Sequence, residues 1–415
     1  MIVPKLRFKG FDQDWTGLKI KDLVKSLDAG VSVNSEDVEP KEDEYSVLKT
    51  SCISSGYFDE NERKRVLQDG EIQRLKEPVL DDSILMSRMN TPLLVGMNAY
   101  VFKAPKNTFL PDRLWQLKID DNKTVTRWLA FYLGSDQGLN QIRDLASGTS
   151  NSMKNITKPD VLNLDLFVPS KEEQTKIASF LSTVDEKISR LTQKHQLLNQ
   201  YKQGMMQKLF SQQFRFKADD GSEFGEWEEK KLSEICLKIK DGTHFSPKTF
   251  EVGEYKYLTS KNVKNGYLDF SNLEFVSTDD HKKIYSSCDV KFGDVLLTKD
   301  GTIGQCCVNT LTEEFSLLSS VAFLRLKSEF NNYFLYHILL SDLGQKEING
   351  AIAGQALKRI TLTKINDFKF MFPCLAEQTK IANFLSAIDQ KIEVVAQQIE
   401  QAKTWKKGLL QQMFV

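Results

Sequence analysis

The sequence predicts an α+β chain with an internal tandem repeat: two α/β domains separated by two long antiparallel coiled-coil helices, related by a pseudo-two-fold. Three observations predict it. The hexapeptide EQTKIA occurs at 173–178 and again at 377–382. Each copy opens a proline-free stretch with apolar residues at heptad spacing. The segments between carry strand-like runs broken by Gly and Asp turn signals.

The repeat is the strongest of the three. The two hexapeptides lie 204 positions apart (173 against 377), and that spacing holds without a gap to the end of the sequence. Phe180-Leu181-Ser182 returns as Phe384-Leu385-Ser386, Asp185 as Asp389, Lys202 as Lys406 and Gly204 as Gly408. Upstream, Lys154 and Ile156 match Lys358 and Ile360. Tyr45 to Asp59 resembles Tyr255 to Asp269, and Arg7-Phe8-Lys9 with Trp15 resembles Arg215-Phe216-Lys217 with Trp227. The chain therefore divides into a first domain at 1–171, with residues 1–17 completing the repeat, and a spacer at 172–212. A second domain at 213–375 and a second spacer at 376–415 follow.

The first long helix is expected at about 172–210, with Ile177, Leu181, Val184, Ile188 and Leu191 on its seam. The second is expected at about 376–414, with Ile381, Leu385, Ile388, Ile392 and Val395 on its seam. Roughly 38 residues at 1.5 Å each give a rod of about 55–60 Å. Neither stripe is stable in water, so the rods are expected to pack on each other. Lys202 and Lys406 fall on the seams and are expected to snorkel to solvent. The segment after helix one resembles the N-terminal segment. With the sequence ending at Val415, the N-terminal segment is expected to take the place of a continuation of helix two, closing the fold in space.

In the second domain, strands are expected around Lys256–Thr259, Asp294–Thr298, Gly304–Val308 and Ser320–Leu326, and a helix at about 329–344. The helical counterpart lies at about 123–134.

Of the 415 residues, 56 are Lys or Arg and 56 are Asp or Glu, so the formal net charge is zero. Binding to nucleic acid would then need basic residues gathered on one surface. The six cysteines show no CxxC pair and read as reduced thiols. No signal-peptide core and no membrane-length apolar run appears, so a soluble cytoplasmic protein without membrane contact is expected. There is no Walker A loop, no GxGxxG, no Pro-Pro pair, no HExxH and no GxSxG. No motif points to a catalytic constellation, a metal site or a cofactor site, while a nuclease built on scattered carboxylates would need no motif and stays open as a further alternative. That favours a binding or scaffolding protein.

The motif EQTKIAxFLSxxDxKI, present twice after Phe167-Val168-Pro169 and Met371-Phe372-Pro373, resembles specificity subunits of Type I restriction–modification systems. So do Asp294 to Gly304 and Ser147 to Ile156, and the resemblance spans essentially the whole chain. It implies two target recognition domains, each reading part of a bipartite, asymmetric double-stranded DNA target. It implies that the helices fix the spacing and dock two methyltransferase subunits, with two restriction/translocase subunits in the full complex. No cofactor is implied on this chain; S-adenosylmethionine, ATP and Mg2+ belong to the partners.

Arg, Lys, Asn and Gln read base edges, and other basic groups hold phosphates. Candidate contacts in the first domain are Lys49, Thr50 and Ser51, with Arg63, Lys64 and Arg65, then Arg88, and Thr149, Asn151, Lys154 and Asn155. In the second they are Ser260, Lys261, Asn262 and Lys264, then Lys299 and Thr302, and Gln355, Lys358 and Arg359. The matched pairs are Lys154 with Lys358 and Arg88 with Lys299. Asn90-Thr91-Pro92 departs from Gly301-Thr302-Ile303, which sets those loops apart. Weak DNA binding by the lone chain and stronger binding with its partners are expected. The alternative is a coiled-coil adaptor that binds no DNA.

Overall fold

The computed structural model describes residues 3–147, 153–352 and 359–415. The chain forms two compact units, residues 1–191 with 397–415, and residues 192–396.

The same elements recur in each unit. The first unit has a four-stranded antiparallel sheet in the order Val24–Ala29, Leu114–Ile119, Ser83–Ser87, Asn98–Val101. The second has Cys236–Asp241, Val321–Leu326, Val295–Thr298, Cys306–Val308 in the same order. A register shift interrupts both edge strands at the same place, between Val24 and Ser26 and between Cys236 and Lys238. A three-stranded mixed sheet accompanies each: Arg63–Val66, Tyr45–Leu48, Thr108–Phe109 in one unit, and Glu274–Val276, Tyr255–Leu258, Ser316–Leu317 in the other.

The strand Ser83–Ser87 explains how each unit is layered. All five residues are buried, as a strand covered on both faces must be. Successive side chains point to opposite faces. Ile84 and Met86 join the core that contains the helices, while Leu85 joins a separate core with Leu48, Cys52, Ile53 and Val101. Val295 and Leu297 against Leu296 repeat this division in the second unit.

The long helices run Lys171–Phe210 and Leu375–Met413, within two residues of the expected ends. In the first unit Ile177, Leu181, Val184 and Ile188 share a core with Ala402, Leu409, Met413 and Phe414. In the second, Ile381, Leu385 and Ile388 share one with Met206, Leu209 and Phe210. In both units the first part of one long helix meets the last part of the other, an antiparallel pairing. Val395 is buried, while Leu191 and Ile392 are only partly buried.

The seam lysines differ from expectation. Lys406 is mostly buried and lies 2.6 Å from Asp185, and Lys202 lies 2.5 Å from Asp389. The repeated aspartate faces the repeated lysine across the helix pair, so the ammonium is matched internally instead of reaching for water. The mid-domain helices also differ. A second helix follows each expected one: Asp136–Asp144 after Thr126–Leu133, and Asp342–Ile352 after Asn332–Leu340, where the expectation ran on to 344 as one helix. Ser135 and Ser341 end the first helix and accept a backbone N–H from the second (Gly138, 3.1 Å; Gly344, 3.4 Å).

The N-terminal segment packs as expected. The Leu6 amide donates to the Gln412 carbonyl at 2.8 Å, and the Phe214 amide donates to the Lys208 carbonyl at 3.1 Å. The first bond joins two distant parts of the sequence; the second lies within continuous chain at the repeated position. Arg7 then forms a two-pronged pair with Glu173 (2.7 and 2.8 Å), and Arg215 repeats it with Glu377 (3.0 and 2.7 Å).

Candidate nucleic-acid interface

The hexapeptide that marks the repeat is structural. Glu173 and Glu377 receive the arginine clamps, and both are buried. Gln174 accepts from the Val125 amide at 2.7 Å and donates to the Pro169 carbonyl at 3.0 Å. Gln378 does the same with the Asn331 amide (2.9 Å) and the Pro373 carbonyl (2.8 Å). These residues lock the start of each long helix to its own unit.

In the first unit, the candidate residues fall into two clusters. Arg63–Val66 pairs antiparallel with Tyr45–Leu48, setting Leu48 opposite Arg63 and Val47 opposite Lys64. The Lys49 amide donates to the Glu62 carbonyl at 2.9 Å, so Lys49, Thr50 and Ser51 adjoin Arg63, Lys64 and Arg65. Part of this cluster is matched internally. Lys49 lies 2.6 Å from Asp37, and Arg65 lies 2.8 Å from Glu36 and 3.6 Å from Glu44. Hydrogen bonds donated to Asp37 and Glu36 raise the pKa of Lys49 and Arg65 respectively. The Ser51 hydroxyl donates to Glu62. The positions matching Arg63, Lys64 and Arg65 in the second unit are Leu273, Glu274 and Phe275, so the basic run has no counterpart there.

The second cluster surrounds Arg88. Met89–Asn90 pairs with Lys154–Asn155, and the Ile156 amide donates to the Arg88 carbonyl at 3.0 Å. Ser147 and Asn155 exchange both backbone hydrogen bonds, at 2.9 and 3.0 Å. Thr149 and Asn151 lie outside the described residues. Two further arginines lie on the flanking segments: Arg113 bonds Arg88 directly, and Arg143 holds the loop that follows Asn90; neither was among the expected contacts. The Arg88 amide donates to the Arg113 carbonyl at 3.1 Å, and the Arg143 guanidinium donates to the Leu93 carbonyl at 2.6 Å. Only strand register could have placed Arg113 beside Arg88.

In the second unit the outcome is different. Lys299 occupies the place of Arg88: the Ile360 amide donates to its carbonyl at 2.9 Å. Its side chain is 2% exposed, with Nζ 2.9 Å from Asp241. Lys299 is therefore no surface contact; a carboxylate at the end of the edge strand Cys236–Asp241, one strand beyond its neighbour Val321–Leu326, holds it. Asn262 is also withdrawn. It is 3% exposed, its oxygen accepts from the Thr259 amide at 2.9 Å, and its nitrogen donates to the Asp269 carbonyl at 3.0 Å. It fixes a turn. Ser260 is half-buried beside Ser320, whereas Lys261 and Thr302 are exposed. Lys264 lies on the short hairpin with Tyr267. Arg359 bridges Asp300 through the backbone, with its Nε 3.6 Å from the carboxylate. Gln355 and Lys358 lie outside the described residues.

The loops flagged as different share their flanks. The Gly96 amide donates to the Ser87 carbonyl, and the Gly304 amide donates to the Thr298 carbonyl. Five residues separate Asn90 from Gly96 but only two separate Gly301 from Gly304, so the first unit's loop is longer and carries Leu93, 75% exposed.

Among the described residues no cluster of three or more His, Cys, Asp or Glu could hold a metal ion. None of their helices is long and apolar enough to cross a membrane.

The sequence profile described as the Type I restriction modification DNA specificity domain matches residues 12–200 and 225–404. The chain belongs to that family. This specificity-family chain is similar to the Type I restriction enzyme MjaVIII specificity subunit of Methanocaldococcus jannaschii. The two are 26% identical over 411 residues, covering 96% of this chain and 91% of the relative. It also resembles the EcoEI specificity subunit of Escherichia coli, 25% identical over 182 residues, 43% of this chain and 30% of that relative. Its fold matches the crystal structure of a Type-I restriction-modification S subunit from M. genitalium. The TM-score is 0.62 at 19% identity, covering 100% and 99% of the two chains. A chain from a structure addressing assembly of the type I R-M system gives a TM-score of 0.54 at 15% identity, covering 97% and 98%.

Proposed function

We propose that this chain is the DNA sequence-recognition subunit of a Type I restriction–modification complex and performs no catalysis itself. Each unit reads one part of a bipartite, asymmetric target. The paired long helices fix the spacing and dock two methyltransferase subunits; two restriction/translocase subunits complete the assembly. S-adenosylmethionine, ATP and Mg2+ act on those partners.

The observation that carries this reading is one scaffold with two different surfaces. Topology, register shift, helix clamps and caps repeat, while Arg63-Lys64-Arg65 is replaced by Leu273-Glu274-Phe275 in the second unit, and unpaired Arg88 by the paired Lys299. Family membership supports it. Several of the basic candidates already have carboxylate partners, which agrees with weak DNA affinity for the lone chain. Binding is expected to tighten with methyltransferase partners and to weaken steeply with salt. The deciding experiment is methylation profiling of host DNA before and after deletion of the gene. One split motif is expected to disappear; an unchanged methylome overturns the reading.

A further inference from the structure

We propose that Arg88 reads a guanine in the half-site of the first unit, and that the second unit has given up this position by pairing Lys299 with Asp241. The inference rests on the DNA-recognition reading above and adds a residue and a base to it.

The two positions are equivalent by backbone geometry. Arg88 is held on both sides, its carbonyl by the Ile156 amide and its amide by the Arg113 carbonyl (3.0 and 3.1 Å). Lys299 is held by Ile360 and Ser320 in the same way, at 2.9 Å each. The counter-ions are not equivalent. Asp241 ends the edge strand Cys236–Asp241, opposite Ala322. The residue at that place in the first unit is Ala29, opposite Trp115. Where the second unit supplies a carboxylate, the first supplies a methyl group.

Arg88 is consequently unmatched. Its Nε is buried and has no acceptor, and its guanidinium makes no ion pair among the described residues. A cation without a carboxylate partner is open to a ligand that brings acceptors. The surroundings call for an electronegative ligand. Arg113 stands where the second unit has Ser320, and the Arg143 guanidinium holds the Leu93 carbonyl in the loop that follows Asn90. A phosphate would satisfy a lysine equally well. The half-buried, backbone-pinned fork of an arginine suits two acceptors in a plane, and guanine O6 and N7 provide that pair in the major groove.

The test replaces the gene in its host with full-length variants and profiles methylated adenines. Arg88→Lys keeps the charge but loses the fork; Ala29→Asp installs the second unit's own carboxylate. Both are expected to relax one guanine in one half of the split motif by roughly tenfold or more, leaving the other half unchanged. A motif identical to the wild type in both variants overturns the proposal, as does a change confined to the other half. If the unaltered gene yields no split motif, the DNA-recognition reading fails instead, which is a separate result. Arg88→Ala alone is less decisive because it also removes packing, so the charge-keeping variant decides.

Discussion

Arg325 shows how single side chains hold the second unit together. Its guanidinium grips Asp294 (3.0 and 2.8 Å) and Asp289 (3.1 Å), and Lys238 also pairs with Asp289. Burial alone would raise the Asp289 carboxyl, but the bonds to Lys238 and Arg325 outweigh it and hold it at about 2. An unfolded aspartate titrates near 3.9. The folded value is depressed, so this stabilisation is complete above about pH 4 and is lost as pH falls through 2. After allowance for partial exposure it amounts to about 1–2 kcal/mol. Urea midpoints measured from pH 5 to pH 2.5 are expected to fall less steeply for Asp289→Asn than for the wild type; parallel slopes refute the assignment. The same scale explains what sequence could reveal of the site. The Arg63-Lys64-Arg65 run and the Arg88–Lys299 match were visible as letters. The pairing of Lys299 was not, because Asp241 lies on a distant strand and meets it only through sheet register.

The long helices were the most legible elements because a heptad stripe without proline admits few other structures. Their ends were legible because the repeat shows them twice. The split helices were less so: Ser135 and Ser341 look unremarkable in sequence, and their role depends on where the preceding turn places their hydroxyls. Leu181 and Leu385 are fully buried at equivalent seam positions, each in its own unit. Leu→Ala at either is expected to cost about 2–5 kcal/mol. Leu197, 55% exposed on the same rod, serves as control, and its alanine variant is expected to stay within about 0.5 kcal/mol. Chemical denaturation measures all three. Equal effects at Leu181 and Leu197 contradict the packing described.

At the scale of the molecule, the hydrogen bond from Leu6 to Gln412 sets the N-terminal segment against the last turns of the second long helix. Between Lys208 and Phe214 lie five residues, 209–213. Joining Val415 directly to Pro4 would also leave five between Gln412 and Leu6: Met413, Phe414, Val415, Pro4 and Lys5. A circular permutant with that junction, and new ends at Gln212 and Gln213, is expected to fold with the parent's circular dichroism spectrum and a similar melting temperature. Failure to fold would show that the first-unit joint does not tolerate covalent closure. The twin arginine clamps extend this to inheritance. Arg7 with Glu173 and Arg215 with Glu377 give each half the same fastening, built from matching Arg-Phe-Lys and EQTKIA segments. Genetic exchange at those stretches would transplant an intact half onto a foreign scaffold already shaped to receive it.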